Sequence, residues 1–196
     1  MTLSLETLAP PTFQGWPKIA RLRRDFIVTE KIDGTNAAIG VLDAGGDEVG
    51  VYAQSRTRII TPEDDNFGFA AWVSKNAVAL AETLGLGLHF GEWWGSGIQR
   101  NYGLKEKRFS LFNTSVWNND NLEQVRGIGV DVVPVLLWAP RFDTLLIDQA
   151  VQLLAEKGSY AAPGFMKPEG VVIWHEAARI SFKQTIIGDE KPKGQE

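Results

Sequence analysis

The chain of 196 residues has no cysteine, only two histidines and only two methionines. Without cysteine there can be neither disulfides nor thiolate metal sites. No apolar run approaches the ~20 residues of a membrane span, and the N-terminal segment lacks the charged-then-apolar pattern of a signal peptide. A cytoplasmic setting with no membrane partner is therefore expected. Excess positive charge is also missing: 20 Lys and Arg stand against 24 Asp and Glu, a formal net charge of -4. A protein that coats polyanions by summed phosphate neutralisation is excluded, so any nucleic-acid contact must be local. Arg21, Arg23 and Arg24 form one basic cluster, Arg56 and Arg58 a second, and Arg100, Lys105, Lys107 and Arg108 a third. A solvated surface accounts adequately for each.

An apolar share of 44% and a charged share of 22% are ordinary for a globular protein, and the length suits one sizeable core. One domain is expected over residues 1–188, with residues 189–196 a charged, disordered tail. Prolines before Lys18 predict an irregular lead-in packed by Phe13 and Trp16. Short strands follow over Asp25–Glu30, Asn36–Val41 and Val49–Ala53, which in succession predict an antiparallel meander. Apolar spacing predicts one helix over Phe69–Thr83, ended by Gly85 and Gly87. Leu86–Glu92 alternates as a strand, with Leu86, Leu88 and Phe90 on one face and His89 on the other. A glycine-bearing loop over Gly95–Gly103 precedes a strand at Phe109–Asn113, where only one of Phe109 and Phe112 can face the core. Then come a short helix near Asn121–Arg126, a strand over Val130–Leu137 despite Pro134, and an amphipathic helix over Asp143–Lys157. Strands at Gly170–Trp174 and Arg179–Ile186 flank a turn at His175–Ala177. Clustered short strands interrupted by helices imply an α+β domain rich in antiparallel sheet with flanking helices.

The chain is organised around Lys31-Ile32-Asp33-Gly34-Thr35-Asn36, set between the apolar runs Phe26–Val28 and Ala37–Ile39. Its plainest reading is a hairpin turn at Asp33-Gly34 with Lys31 a solvated charge. Taken alone, Glu92 is a strand-end acid beside a glycine and expected outside the core, Glu169 is a loop acid, and His89 and His175 are isolated polar residues. Phe109 and Phe112 each fit a core position, the usual fate of phenylalanine, and the seven tryptophans are expected in core and rim packing.

In order along the chain, Glu30-Lys31-Ile32-Asp33-Gly34-Thr35-Asn36, Ser55-Arg56, Phe90-Gly91-Glu92, Phe109-Ser110-Leu111-Phe112, Glu169-Gly170-Val171-Val172 and Ser181-Phe182-Lys183 resemble the motifs of the covalent nucleotidyltransferases. That superfamily includes DNA ligases, RNA ligases and capping enzymes. The Glu-Lys-x-Asp-Gly-Thr-Asn form and the Asp-Asn-Phe-Gly-Phe stretch at Asp65–Phe69 most resemble its ATP-dependent RNA-ligase branch. The resemblance spans Lys18 to Gln184 and implies an ATP-grasp-like ligase adenylation fold.

It further implies that Lys31 attacks the α-phosphate of ATP, carries AMP as a phosphoramide, and passes it to a 5′-phosphate for sealing to a 3′-hydroxyl, with RNA the expected partner. A lysine of ordinary pKa near ~10.4 offers about one free amine in 10³ at neutral pH, so a cation must assist. Arg56, Lys183 and bound Mg²⁺ (or Mn²⁺) are the candidates, and each also neutralises phosphate charge. By the same resemblance Glu92 accepts from the ribose, Glu169 holds the metal, and Glu30, Ile32 and Asn36 line the nucleotide site. Stacking under the base falls to Phe112, with Phe109 the alternative. Two departures stand out. Asn113 occupies a position usually held by aspartate, and Ser181-Phe182-Lys183 keeps one of two lysines usual in the last motif. If Lys183 matches the first of those lysines, Thr185 occupies the other position, and Arg179 is a possible compensating cation. DNA ligase or capping chemistry, GTP in place of ATP, and a nucleotide- or RNA-binding module without catalysis stay open. Residues after Ile186 are too few for an added barrel, so strand positioning is expected from the domain's own surface or from a protein partner.

Overall fold

The computed structural model describes residues 12–46 and 48–188. Ten strands and four helices follow in chain order: β1 (Phe26–Lys31), β2 (Thr35–Gly45), β3 (Glu48–Ser55), β4 (Ile59–Ile60), α1 (Phe69–Lys75), α2 (Ala77–Leu84), β5 (Gly87–Gly95), β6 (Lys107–Leu111), α3 (Glu123–Arg126), β7 (Val130–Val132), β8 (Val135–Ala139), α4 (Thr144–Lys157), β9 (Gly170–His175) and β10 (Ile180–Thr185). The strands form two sheets, one in the order β10-β9-β1-β8 and the other β4-β3-β2-β5-β6-β7, antiparallel except for the β6–β7 pair. The expected α+β class with antiparallel sheet and flanking helices holds.

Alternation explains how each sheet gains one buried and one open face. Along β1, Phe26, Val28 and Glu30 are buried while Ile27, Thr29 and Lys31 are half-buried. Phe26 and Val28 join Ile173, Val171 and Ala139 under Ile147, Ala150 and Leu154 of α4. On the six-stranded sheet, Ala37, Ile39, Val41, Trp93, Phe109 and Leu111 pack against Phe69, Val73 and Leu80 of α1 and α2. The Phe69, Trp72, Trp93 and Phe109 rings pack together there, with centroids 5.0 to 6.3 Å apart. The faces turned away from the helices border a cleft.

Several expectations need correction. The first three strands are not one meander, because β1 and β2 belong to different sheets and Ile32–Gly34 carries the chain across. Asp33-Gly34 is thus a crossing and not a hairpin turn. Val130–Leu137 is likewise not one strand: β7 ends in one sheet and β8 begins in the other. Pro134, which has no N–H to give a ladder, stands at that break, and its carbonyl accepts from the Glu30 N–H at 2.9 Å. Phe69–Thr83 is two helices. Asn76 interrupts them, its Nδ2 donating to the Trp72 carbonyl at 2.8 Å, a local bond that competes with helix continuation. Phe13 and Trp16 do not pack the lead-in; both are 89% exposed. The predicted 143–157 helix is found, capped by the Asp143 carboxylate on the Leu145 N–H. No helix among the described residues is long and apolar enough to cross a membrane. The tail from Asp189, expected to be disordered, lies outside the described residues.

Candidate active site

A cleft of about 1330 Å³ lies between the open faces of the two sheets. Lys31 ends β1 on that face, with its side chain 20% exposed and Nζ 2.6 Å from Glu169 Oε2. Glu169 immediately precedes β9, and Gly170 pairs with Lys31 across the β1–β9 ladder, so sheet register alone sets the two side by side. Gly170 admits this packing because a Cβ there would lie 2.7 Å from the Thr185 Cα.

Glu92 is buried, 7% exposed, contrary to the expectation of an acid outside the core. The reason lies at Gly34. A Cβ at that position would fall 2.7 Å from Trp94 Cβ and 3.1 Å from Glu92 Cγ, so only glycine lets the crossing lie this close over β5. The crossing then covers the carboxylate and hydrogen-bonds to it: Gly34 N–H donates to Oε1 and Asn36 Nδ2 to Oε2, each at 3.0 Å. Burial pushes the Glu92 carboxyl up to about 7, against the opposing pull of the Gly34 N–H and the Lys31 charge.

Asp33 borders the cleft, but its polar groups are already engaged. Its carboxylate accepts from Arg100 Nε at 2.8 Å, and its N–H donates to the Tyr102 hydroxyl at 2.8 Å. Burial raises the Tyr102 phenol well above its ordinary value. Arg100 and Tyr102 come from the glycine-bearing loop, where Gln99, Asn101 and Tyr102 all adopt positive φ. They were not legible as site residues, since nothing local links them to a motif almost seventy positions away. The signal was indirect: a long loop among glycines with one tyrosine that must be satisfied when buried.

The remaining candidates divide. Arg56, Phe112 and Lys183 line the cleft together with Asn36, Glu92 and Lys31. Phe112 is 41% exposed while Phe109 is fully buried in the aromatic cluster, so geometry leaves Phe112 as the ring available to a ligand. Arg56 and Lys183 have no ion-pair partner among the described residues. Lys183 pairs with Val172 and Val172 with Thr29, which puts it on the same face as Lys31. Ser181 and Arg179 also line the cleft, and Thr185 shares the row of Gly170 and Lys31. Both positions open to a second lysine therefore face the site.

Glu30 and Ile32 border the cleft, but their side chains are committed elsewhere. The Glu30 carboxylate is buried and accepts from Ser159 Oγ at 2.5 Å and from the Tyr160 and Ala161 N–H groups at 2.8 and 2.9 Å. Its pKa is raised by burial, with those three hydrogen bonds opposing. Ile32 packs with Trp94, Tyr102, Val133 and Ala162. A ligand would meet these two residues at the main chain. His89 and His175 are structural: one ring nitrogen of His89 bonds the Gly85 carbonyl, and His175 is buried against the Leu22 carbonyl and the Ala178 N–H. Among the described residues no group of three or more His, Cys, Asp or Glu could hold a metal by itself.

Comparison with known proteins bears on the fold and the family. The search of curated proteins finds no match. Among solved structures, Naegleria gruberi RNA ligase is similar. A mutant with ATP and Mn is 22% identical with a TM-score of 0.55, and the form with PPi is 23% identical with a TM-score of 0.55. A further mutant in the apo state is 25% identical with a TM-score of 0.52. In each case the match covers 83% of this chain and 49% of the other, so the chain spans about half the length of these relatives. The family model described as RNA ligase matches residues 24–187, and the chain accordingly belongs to the RNA ligase family.

Proposed function

We propose that this domain transfers AMP from ATP to Lys31 and then to a 5′-phosphate end of RNA, which a 3′-hydroxyl attacks to seal the strand. The observation that carries the reading is the convergence of Lys31, Glu92, Phe112, Arg56, Glu169 and Lys183 on one cleft from two sheets. Each fits a part of a nucleoside triphosphate. The exposed Phe112 ring offers a face for the base, and the Glu92 carboxylate is an acceptor for ribose hydroxyls. Arg56 and Lys183, without acidic partners among the described residues, suit the phosphates. Mg²⁺ or Mn²⁺ would be held by Glu169 with phosphate oxygens and would supply charge neutralisation there, since one carboxylate alone is a poor cage.

In the first step the free amine of Lys31 forms an N–P bond to the α-phosphate. The bond from that phosphorus to the bridging oxygen breaks, pyrophosphate departs with the electron pair, and the proton lost from Nζ goes to solvent. The contact with Glu169 orients Nζ, and the cations lining the cleft neutralise the charge that builds on the phosphate. Transfer of AMP to the 5′-phosphate restores Lys31, and attack by the 3′-hydroxyl releases AMP.

One observation favours a second reading. Ser181 faces the cleft where a second lysine is usual in the superfamily, as a nucleotide-binding module without turnover would allow. Incubation with α-labelled ATP and Mg²⁺ separates the two. Covalent label on the wild-type chain, lost in Lys31→Ala, is the expected outcome; ATP binding with no label at any pH favours the module.

A further inference from the structure

We propose that the open face of the four-stranded sheet, from Trp138 across Ile27 to Trp174, is a docking shelf for single-stranded RNA beyond the nucleotide site. The inference rests on the reading of this chain as a domain that joins RNA ends. Strand register carries it. Ile27 of β1 is directly paired with Trp138 of β8 on one side and with Trp174 of β9 on the other, and Trp174 with Ser181 of β10. Residues opposite one another share a face, so both indoles flank Ile27 on the side away from α4. Two strand spacings separate them, roughly 10 Å. Lys31 lies on the same face four residues along β1, roughly 13 Å from Ile27 at the rise of a strand. Trp138 is 57% exposed, and Val135 in the next row is exposed beside it.

Charge selects the occupant. His175, next to Trp174 but turned to the α4 side, is 2.6 Å from the Leu22 carbonyl through Nε2, which holds the segment with Arg21, Arg23 and Arg24 at the end of the sheet beside the shelf. Those three arginines are exposed, and Arg179 and Lys183 line the adjoining cleft. Asp25 and Glu176, whose main chains are bonded to each other, stand at the same end of the sheet. Arg179 and Lys183 have no ion-pair partner among the described residues, so the cleft side of the shelf offers unpaired positive charge on a chain whose net charge is negative. Aromatic faces interleaved with cations bind single strands by stacking and phosphate pairing, whereas a neutral apolar partner would gain nothing from the arginines. The cleft also has room for more than a mononucleotide, at about 1330 Å³ against the roughly 300–1000 Å³ typical of small-ligand pockets.

The test is the affinity of the full chain for a 5′-phosphorylated single-stranded RNA of about 12 nucleotides, measured by fluorescence anisotropy over a salt series. Trp138→Ala and Trp174→Ala should each weaken binding by about 5- to 100-fold, and Trp174→Tyr should retain most of it. Combining Arg21→Gln, Arg23→Gln and Arg24→Gln should lower the salt slope by about 2. Trp138→Ala and the arginine variant should keep the wild-type rate of covalent labelling. Wild-type affinity in both alanine variants, or no RNA binding by the wild-type chain, overturns the proposal. So does a dimer that Trp138→Ala dissolves with RNA affinity unchanged, which would assign the shelf to a second copy. Absence of labelling in the wild-type chain, with RNA binding still lost on removing the indoles, sinks the ligase reading and leaves the shelf.

Discussion

At the scale of single residues, Glu92 has the clearest pH signature. Its carboxyl titrates near about 7 in the folded chain because burial disfavours the ionised form, while unfolding returns it to the ordinary value near 4.3. Between those limits the folded state binds more protons than the unfolded one. Its contribution to stability is complete at low pH and is lost as pH rises through about 7. The loss amounts to ~2–4 kcal/mol, and the raised Glu30 carboxyl acts in the same direction. Denaturant unfolding followed from pH 4.5 to 8 should therefore reveal a decline that Glu92→Gln flattens; an unchanged slope in that variant would refute the assignment. The two phenylalanines make a second contrast. Phe109→Ala removes a ring from the aromatic cluster and should cost about 3–5 kcal/mol of stability. Phe112→Ala should leave the unfolding midpoint nearly unchanged and weaken ATP binding by about 5- to 100-fold. Calorimetry of both variants checks the pair.

At the scale of elements, the crossing from β1 to β2 matters most. Gly34→Ala forces a Cβ against Trp94 and the main chain of Trp93, so the crossing must lift away from β5. It should lose both covalent labelling and ~2 kcal/mol or more of stability, measurable by label transfer and by denaturant midpoint; wild-type labelling would show that the close approach is dispensable. This same crossing marks the limit of what the chain revealed before folding. The apolar runs in Asp25–Glu30 and Asn36–Val41 located two strands, and the ordered motifs named Lys31, Glu92, Phe112 and Lys183, which line one cleft. Asp33-Gly34 looked like a hairpin because turn chemistry reports local φ and ψ, not which sheet receives the next strand. Burial of Glu92 was missed for a related reason: its cover comes from Gly34, fifty-eight positions earlier. Asn76 and Pro134 were visible residues whose effect, splitting a helix and a strand, depended on partners at Trp72 and Glu30.

At the scale of the whole molecule, the two sheets divide the chain simply. The middle of the sequence, β2 to β7, builds one wall of the cleft, and β1 with β8 to β10 builds the other. The absence of cysteine in the chain makes relative motion of the walls easy to measure. Cysteines introduced at the exposed positions Val78 in α2 and Leu153 in α4 can carry a pair of spin labels. Because the cleft exceeds a nucleotide in volume, saturating ATP should shorten the distance between the labels; an unchanged distance distribution would mean that the walls are already set at their bound spacing.

Among the described residues two covalent strands join those walls, Ile32–Gly34 and Val133–Pro134. Ile32 and Val133 pack in one small cluster with Trp94, Tyr102 and Ala162. Mechanically this is an axle. A rotation of one wall against the other has its lever arm measured from that cluster, so Lys31, the immediate neighbour of Ile32, travels least. Residues farther out on both walls travel more, so the cleft can tighten or loosen without carrying Lys31 away from its contact with Glu169.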